Sequence, residues 1–313
     1  MPAGDYRPDR SPLVAPDQID WHIADLTATI GAEVRFKDLD AQPNLWLPID
    51  CDGDPDATIG KLVEQNSTGP LRIGYGGWRD LMLGCQFTNG RGELISVGGR
   101  TVKNVAGYDL TKFLIGQFGV FGRIVTITTR LHRRPDDACR ADFPPDATIL
   151  DRLLASPCRP QWTMRTPSAL SCGYLGDGRT IDFYMQQLPA WNPAQIERTG
   201  FAADEQWRAS YWRTHASEGA VTMRAMIPPT KIVEFAGSAK LTQWAADPTF
   251  GAVLGTVRES ALARSAALAA GGRAWFFDES PQLQFEPSPQ EKIILDRLKL
   301  AMDPDKTLAP LPW

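Results

Sequence analysis

Residues Gly98 to Ile124 read GGRTVKNVAGYDLTKFLIGQFGVFGRI, with glycines on both sides of one short apolar helix. Glycine loses the most backbone entropy on folding, so a stretch selected for stability alone would contain few of them. Asp109 can cap the helix, in which Leu110, Phe113 and Leu114 lie three and four positions apart. The glycine pattern therefore indicates that some group approaches the backbone of this segment closely.

The sequence on both sides of this segment predicts strands. Two apolar runs flank Asn89-Gly90, a dipeptide that favours the tight turn of a β-hairpin. After Gly122, apolar and polar residues alternate from Ile124 to Leu131, which is typical of a strand. Residues 21–36 mix apolar and polar positions and predict a strand followed by a helix.

The second half of the chain mixes strands and helices. Residues 133–147, RRPDDACRADFPPDA, have the composition of a linker, which places a domain boundary near residue 140. No internal repeat is visible. Strands separated by helices indicate an α+β fold with a sheet covered on one face. We predict strands at residues 180–185, 220–226, 251–257 and 273–277, and helices at residues 231–238, 260–270 and 291–302.

The composition argues against several classes of protein. The chain has 313 residues, 43% of them hydrophobic and 22% charged, with a formal net charge of −4 at pH 7. Proteins that bind nucleic acid concentrate Lys and Arg, so this balance argues against nucleic-acid binding. No apolar run reaches the ~18 residues of a membrane span, and the N-terminus lacks the apolar core of a signal peptide. We therefore predict a cytoplasmic protein with no membrane span.

The cysteines and histidines give no metal-binding pattern. The five cysteines form no C-x-x-C pair, and the three histidines are widely scattered. Zinc and iron–sulfur sites usually show closely spaced ligand pairs, and a disulfide framework usually has an even number of cysteines. We therefore predict reduced thiols and no metal site.

Two explanations of the glycines remain open at this point. Glycines can simply let a strand, a helix and a loop pack closely. Alternatively, N–H groups in glycine-rich turns can hold the phosphates of a nucleotide. The sequence contains no P-loop motif, and its glycines precede a strand, whereas a Rossmann fingerprint follows a strand and opens a helix.

Several longer stretches resemble a known family. The two most specific are VKNVAGYDLTKFLIGQFGVFGRIVTITTRLHRRP and the preceding DATIGKLVEQNSTGPLRIGYGGWRDLMLG. Further matches are MRAMIPPTKI, AAGGRAWFF and LKLAMDPDKTLAPL in the second half. Together they resemble the FAD-binding subunit family of glycolate oxidase, within the vanillyl-alcohol-oxidase/PCMH-type flavoproteins, over roughly residues 40–310.

This resemblance implies an α+β protein in which a truncated PCMH-type FAD-binding domain is followed by an α+β antiparallel-sheet domain. We expect a flexible arm at residues 1–18 and the FAD-binding-type domain at residues 19–140. A substrate or cap domain should follow at residues 141–290. Residues 291–313 should form a C-terminal helix and tail that return to the first domain.

The resemblance also implies which residues contact FAD. The pyrophosphate side would be lined by Thr58, Ile59 and Gly60, and the ribityl and ribose portion by Gly76, Gly77 and Asp80. The flavin would pack near Asn104, Ala106, Gly107, Tyr108 and Asp109, and its other edge would be lined by Gly119, Gly122 and Ile124. A planar ring and a diphosphate would then be the groups that approach the glycine-rich backbone.

The sequence departs from the family in ways that bear on FAD affinity. The family's glycine-rich pyrophosphate loop is not found before Thr58, and the second glycine of its T-x-G-G motif is Lys61. No histidine stands where covalent flavin attachment is expected. Each charge-assisted hydrogen bond contributes roughly 1.5–3 kcal/mol, so losing two or three predicts weak FAD binding by the isolated chain.

The family's activity implies a function and partners. We expect oxidation of a small 2-hydroxy acid, with electrons passed to a second flavoprotein subunit and an iron–sulfur subunit. The alternative is a non-catalytic scaffolding subunit that has lost tight FAD binding; a colourless protein that ignores added FAD would favour it. No catalytic base is assigned, and the candidates considered are His132, Arg130, Arg133, His215 and Arg224.

Overall fold

The computed structural model describes residues 12–51, 54–99, 110–212, 221–276 and 287–311. The chain divides into two units. Unit 1 comprises Met1–Ser67, Gly76–Arg134 and Leu283–Trp313, and unit 2 comprises Thr68–Tyr75 and Pro135–Gln282. The chain therefore leaves unit 1 twice, first for a segment of eight residues and then for the whole of the second sheet.

The strands of unit 1 are β1 (Ile19–His22), β2 (Thr27–Gly31), β3 (Leu45–Trp46), β4 (Met82–Thr88), β5 (Leu94–Gly98), β6 (Arg123–Arg130) and β7 (His132–Arg133). Those of unit 2 are β8 (Asp137–Phe143), β9 (Trp162–Arg165), β10 (Leu170–Gly176), β11 (Gln195–Arg198), β12 (Val221–Met226), β13 (Gln243–Ala246), β14 (Ala252–Val257) and β15 (Arg273–Phe276). Every pairing between these strands is antiparallel.

The helices, in chain order, are α1 (Ile59–Glu64), α2 (Arg72–Tyr75), α3 (Trp78–Leu81), α4 (Leu110–Phe113), α5 (Ala147–Leu154), α6 (Gly178–Gln187), α7 (Phe201–Trp212), α8 (Ile232–Ser238), α9 (Ser260–Ala269) and α10 (Pro289–Met302). Helix α2 lies in unit 2, and α1, α3, α4 and α10 lie in unit 1. Across the described ranges, none of these helices has the length and apolar character that crossing a bilayer requires.

Unit 1 is built on a five-stranded sheet with the order β1-β2-β6-β4-β5. Apolar residues of the sheet pack with α1 and α3 in one core, which includes Ile30, Ile127, Ile59 and Trp78. Buried polar groups of the sheet bond to one another, since Thr126 Oγ1 donates to Gln86 Oε1 at 3.2 Å. The sheet therefore combines an apolar core with buried polar side chains, some of which bond to one another.

The β4–β5 hairpin and strand β6 were predicted correctly, although the turn differs from the predicted one. The loop spans Asn89–Glu93, with Asn89 N–H donating to Glu93 O at 3.1 Å. Gly92, and not Gly90, takes the positive φ of 74°. Gly90 instead lies against Asp303, so that a Cβ there would collide with this side chain. Residues 19–31 form the hairpin β1–β2, so the helix predicted within residues 21–36 is wrong.

The predicted linker at residues 133–147 is wrong, because its centre is strand β8. This strand pairs with β10 on one side and β11 on the other. Its prolines flank the strand and leave its N–H groups free to pair. Its charges are matched, since Arg140 bonds Glu197 at 2.9 Å and Asp142 at 3.2 Å. A polar composition therefore concealed an interior strand.

The strand predicted at residues 180–185 is also wrong, because this segment lies in helix α6. Asp177 caps the helix by accepting a hydrogen bond from Thr180 N–H at 2.8 Å. Ile181, Tyr184 and Leu188 are buried at spacings of three and four residues. The predictions of β12, β14, β15, α8 and α9 are confirmed.

Unit 2 contains one eight-stranded sheet with the order β11-β8-β10-β9-β13-β14-β12-β15. Its elements repeat, since β8-α5-β9-β10-α6-β11 and β12-α8-β13-β14-α9-β15 each form a βαββαβ unit. Helices α5 and α6 cover one half through a core around Tyr174, and α8 and α9 cover the other half around Phe235. The halves join where Ala246 pairs with Arg165.

Helix α10 lies in unit 1 and forms a hydrogen bond with the glycine-rich loop at residues 116–122. Lys299 Nζ donates to Val120 O at 2.8 Å and to Ala309 O at 2.7 Å. Of its predicted apolar face, Met302 packs against the core of unit 1, whereas Ile294 is 58% exposed. The helix is therefore attached mainly at its C-terminal end.

Candidate functional site

The first group of predicted contacts lies at the start of α1. Thr58 caps this helix, with Lys61 N–H donating to Thr58 Oγ1 at 3.4 Å. The N–H groups of Ile59 and Gly60 donate to Val34 O and Ala32 O, both at 2.9 Å. A Cβ at Gly60 would lie 2.9 Å from the Cβ of Ala32. The N–H groups of Ile59 and Gly60, predicted to lie on the pyrophosphate side, are thus already used inside the chain.

The second group forms its own turn before α3. Gly77 N–H donates to Asp80 Oδ2 at 2.9 Å, so Asp80 caps the helix it belongs to. Gly76 has a φ of 84°, and a Cβ there would lie 2.7 Å from the Cβ of Asp80. These contacts give Gly76, Gly77 and Asp80 a role in the fold that does not depend on a cofactor.

The group predicted for the other edge of the flavin comprises Gly119 and Gly122, in the loop between α4 and β6, and Ile124 in β6. Gln117 holds this loop in shape. Its Nε2 donates to Gly122 O at 2.8 Å, and its Oε1 accepts from Phe121 N–H at 2.8 Å. A Cβ at Gly122 would lie 2.5 Å from the ring of Phe87, so Gly122 is required by packing. Gln117 is buried and was not singled out from the sequence.

Gly119 differs from Gly60, Gly76 and Gly122 because its surroundings are open. It has a φ of 74°, and the nearest atom to a Cβ built there is Glu64 Oε2, at 3.8 Å. Packing within the described residues therefore does not explain the glycine beyond its left-handed backbone. Of Gly60, Gly76, Gly119 and Gly122, Gly119 is the one with open space in which a flat ligand can approach the main chain.

Glu64 joins α1 to this loop and was missed in the sequence. Its main-chain O accepts from Phe118 N–H at 2.9 Å, and its Oε1 accepts from Ile124 N–H at 3.3 Å. Burial raises the pKa of Glu64, outweighing the Ile124 N–H and the charge of Arg123. The sequence signal was weak, since Glu64 is one of two charged residues in this short helix.

The structure therefore brings some predicted residues together and leaves others apart. Helix α1 carries Thr58, Ile59 and Gly60 at its start, and Glu64 at its end bonds Ile124 N–H and lies near Gly119. Asn104, Ala106, Gly107, Tyr108 and Asp109 lie outside the described residues. All fourteen assignments to FAD stay predictions.

Two buried donors of unit 1 are compatible with an additional polar ligand, one on Ser67 after α1 and one on Trp78, the first residue of α3. Ser67 Oγ and Trp78 Nε1 have no hydrogen-bond partner in the described part of the chain. Both residues are 0% exposed. A buried donor without an acceptor costs about 1–3 kcal/mol, which a ligand oxygen could offset. These donors are suited to a cofactor's polar atoms, whereas the N–H groups of Ile59 and Gly60 are already bonded within the chain.

The candidate catalytic residues that the structure describes belong to both units. His132 pairs with Trp46 in the β3–β7 ladder of unit 1, and burial and Arg130 lower its pKa. Arg224 is buried in β12 of unit 2, with its guanidinium 5.0 Å from the ring centre of Trp275. His215 lies outside the described residues. No catalytic base is assigned, and within the described ranges no group of three or more His, Cys, Asp or Glu could hold a metal.

Comparison with known proteins gives sequence relatives over limited stretches. No family model matches the chain. Glycolate oxidase subunit GlcE of Escherichia coli is 38% identical over 80 residues, which cover 26% of this chain and 23% of that protein. Glycolate oxidase subunit GlcD of Bacillus subtilis is 32% identical over 114 residues, covering 36% and 24%. Mitochondrial D-lactate dehydrogenase (cytochrome) of Arabidopsis thaliana is 29% identical over 140 residues, covering 43% and 24%.

Solved structures extend the similarity to almost the whole chain. Alkyldihydroxyacetonephosphate synthase superposes with a TM-score of 0.65 at 15% identity, covering 94% of this chain and 65% of that one. The chain has the PCMH-type fold. The α+β class and the resemblance to glycolate oxidase subunits are thereby confirmed. The sequence matches span about a quarter of the length of these curated relatives.

Proposed function

We propose that this PCMH-type chain is a subunit of an FAD-dependent oxidoreductase that oxidises a small 2-hydroxy acid, as glycolate oxidase does. The observation that carries the proposal is the similarity to subunits of glycolate oxidase and to D-lactate dehydrogenase. When bound, the flavin accepts a hydride equivalent from the carbon that bears the substrate hydroxyl.

The chain's own residues would orient this cofactor. Gly119 offers an open stretch of backbone against which a flat ring or sugar can lie. Ser67 and Trp78 carry buried donors that a ligand oxygen can accept from. Gln117 and Gly122 fix the shape of the loop, so the wall is formed before the ligand arrives. This preorganisation lowers the entropy cost of binding.

The diphosphate would need donors from elsewhere. The N–H groups of Ile59 and Gly60, two residues predicted to lie on the pyrophosphate side, already donate to Val34 O and Ala32 O. We therefore propose that FAD binds weakly to the isolated chain and more tightly in a complex. The proposed partners are a second flavoprotein subunit and an iron–sulfur subunit, in keeping with relatives that are themselves named as subunits.

The second candidate function is a non-catalytic scaffolding subunit of the same kind of complex. One observation favours it: the N–H groups of Ile59 and Gly60 at the start of α1 already donate to Val34 O and Ala32 O. A chain that has lost diphosphate binding in this way would keep the fold without the cofactor. Purified protein that is colourless and gives no heat with FAD, alone or with partner subunits, would support this candidate over the catalytic one.

A glycine pair provides the direct test of the flavin wall. Gly119 and Gly92 share a φ of 74°, and nothing lies within 4 Å of a Cβ built at Gly92. We expect Gly119→Val and Gly92→Val to lose about 1–2 kcal/mol of stability each. Only Gly119→Val should also weaken FAD binding, by about tenfold in isothermal titration calorimetry. Equal FAD affinity in the two variants would contradict the assignment of Gly119.

A further inference from the structure

Phe118 has a backbone conformation that a bulky side chain does not favour. Its φ is 54°, in the left-handed region that glycine and asparagine adopt more readily. Its neighbours Gly116 and Gly119 share this conformation, with φ values of 78° and 74°. Among the described residues, the other non-glycine positions with a positive φ hold asparagine, lysine or leucine, so Phe118 is the aromatic one.

Hydrogen bonds to the end of α1 hold Phe118 in this conformation. Gly116 N–H donates to Val63 O at 3.0 Å, and Phe118 N–H donates to Glu64 O at 2.9 Å. A strained residue persists only where its surroundings fix the backbone in this way. Both bonds use main-chain atoms, which glycine or asparagine at position 118 would also supply. The bonds therefore explain the backbone at this position but not the phenyl ring.

Packing within the described residues does not explain the ring either. Phe118 is half-buried and is not among the residues that pack on the core of unit 1, whereas Phe113 of α4 is one of them. The rings of Phe113 and Phe121 have their centres 5.0 Å apart. Phe118 takes part in none of the ring–ring or cation–ring contacts between described residues. A half-buried ring without a stacking partner is a surface that a planar ligand can use.

We propose that the phenyl ring of Phe118 is a stacking surface for one of the planar rings of FAD. The proposal rests on the proposed function, since it takes FAD as the ligand. Gly119 is the next residue along the chain and has open space where a Cβ would lie. A flat group that lies along this backbone is therefore one residue away from the phenyl ring. The isoalloxazine and the adenine both offer the π face that stacking needs.

The experiment measures dissociation constants of FAD, riboflavin and AMP for the full chain, alone and with partner subunits. Phe118→Leu keeps an apolar side chain without the π face, and Leu26 shows that leucine adopts this backbone, with a φ of 51°. We expect Phe118→Leu to bind FAD about tenfold more weakly than the wild type. Phe118→Tyr keeps the ring and should bind FAD within about threefold of the wild type.

Two further variants serve as a control and as a second test. Leu26→Asn changes an exposed side chain on the same kind of backbone, so it should leave FAD affinity within about threefold. Phe118→Asn removes the ring and suits the left-handed backbone better than phenylalanine does. It should weaken FAD binding as Phe118→Leu does, and it takes the place of that variant if Phe118→Leu folds poorly.

The outcomes separate this inference from the proposed function. Riboflavin weakened by Phe118→Leu assigns the isoalloxazine to Phe118, and AMP weakened by it assigns the adenine. FAD bound equally by the wild type and Phe118→Leu, a loss that Phe118→Tyr shares, or a loss seen with neither fragment would overturn the role of Phe118 alone. Absence of FAD binding by every form, with partner subunits present, would overturn the proposed function together with this inference.

Discussion

At the scale of single residues, the C-terminal tail of unit 1 depends on Asp303. This carboxylate is buried, pairs with Lys299 at 2.6 Å, and accepts from the N–H groups of Thr307 and Leu308 at 2.7 and 3.1 Å. Burial alone would raise its pKa, but these partners lower the pKa to about 2. Asp303 thus joins the end of α10 to the tail that follows it.

The stability that Asp303 provides should depend on pH. Because the folded-state pKa is depressed, the contribution is fully present above the ordinary value of 3.8 and is lost as the pH falls toward about 2. Asp303→Ala should cost about 3–5 kcal/mol at neutral pH, since it leaves the Lys299 charge without its partner. Urea unfolding measures this cost. Asp305→Ala, at an exposed neighbour, should change stability by less than about 0.5 kcal/mol, and an equal effect would contradict the assignment.

At the scale of secondary structure elements, two glycines differ in the space that their surroundings leave for a side chain. A Cβ at Gly173 in β10 would collide with the indole of Trp162, which cannot move freely because its Nε1 donates to Asp204 at 3.1 Å. Gly237 in α8 has no atom within 4 Å of a Cβ built there. The same change of a hydrogen to a methyl group therefore has different consequences in the two elements.

We expect Gly173→Ala to lose about 1–3 kcal/mol through overpacking. Gly237→Ala should instead gain about 0.5–1 kcal/mol, because alanine favours the helix. The midpoint of guanidinium unfolding measures both effects. Two equal shifts would show that the strand tolerates the methyl group and that the position of Trp162 is not fixed.

At the scale of the whole molecule, the second unit is a duplicated βαββαβ arrangement inside a PCMH-type chain. The cores that cover the two halves of its sheet contain different residue types. Cys139, Cys172 and Tyr174 lie in the core of the first half, whereas Ala263 and Ala267 of α9 lie in the core of the second. Because a packed core constrains volume and polarity more than residue identity, the repeat survives in topology without being visible in sequence.

The sequence by itself determined the features that depend on neighbouring residues. The alternation in Ile124–Leu131 predicted β6, and the alanine-rich run that ends at Gly271-Gly272 predicted α9. The glycine-rich stretch carried the resemblance to glycolate oxidase subunits. Local signals failed where long-range contacts prevail. Strand β8 has the composition of a linker, yet it is held by β10 and β11, and its Arg140 is matched by Glu197.

Only the tertiary structure decided how the candidate site is arranged. The N–H groups of Ile59 and Gly60 are used by Val34 and Ala32, and Gly122 is explained by the ring of Phe87. Glu64 meets Ile124 across a separation of 60 positions, a pairing that no local pattern encodes. Periodicity and composition report what a residue does within its own element. Which donors remain for a ligand depends on contacts between elements, and these form only when the chain is folded.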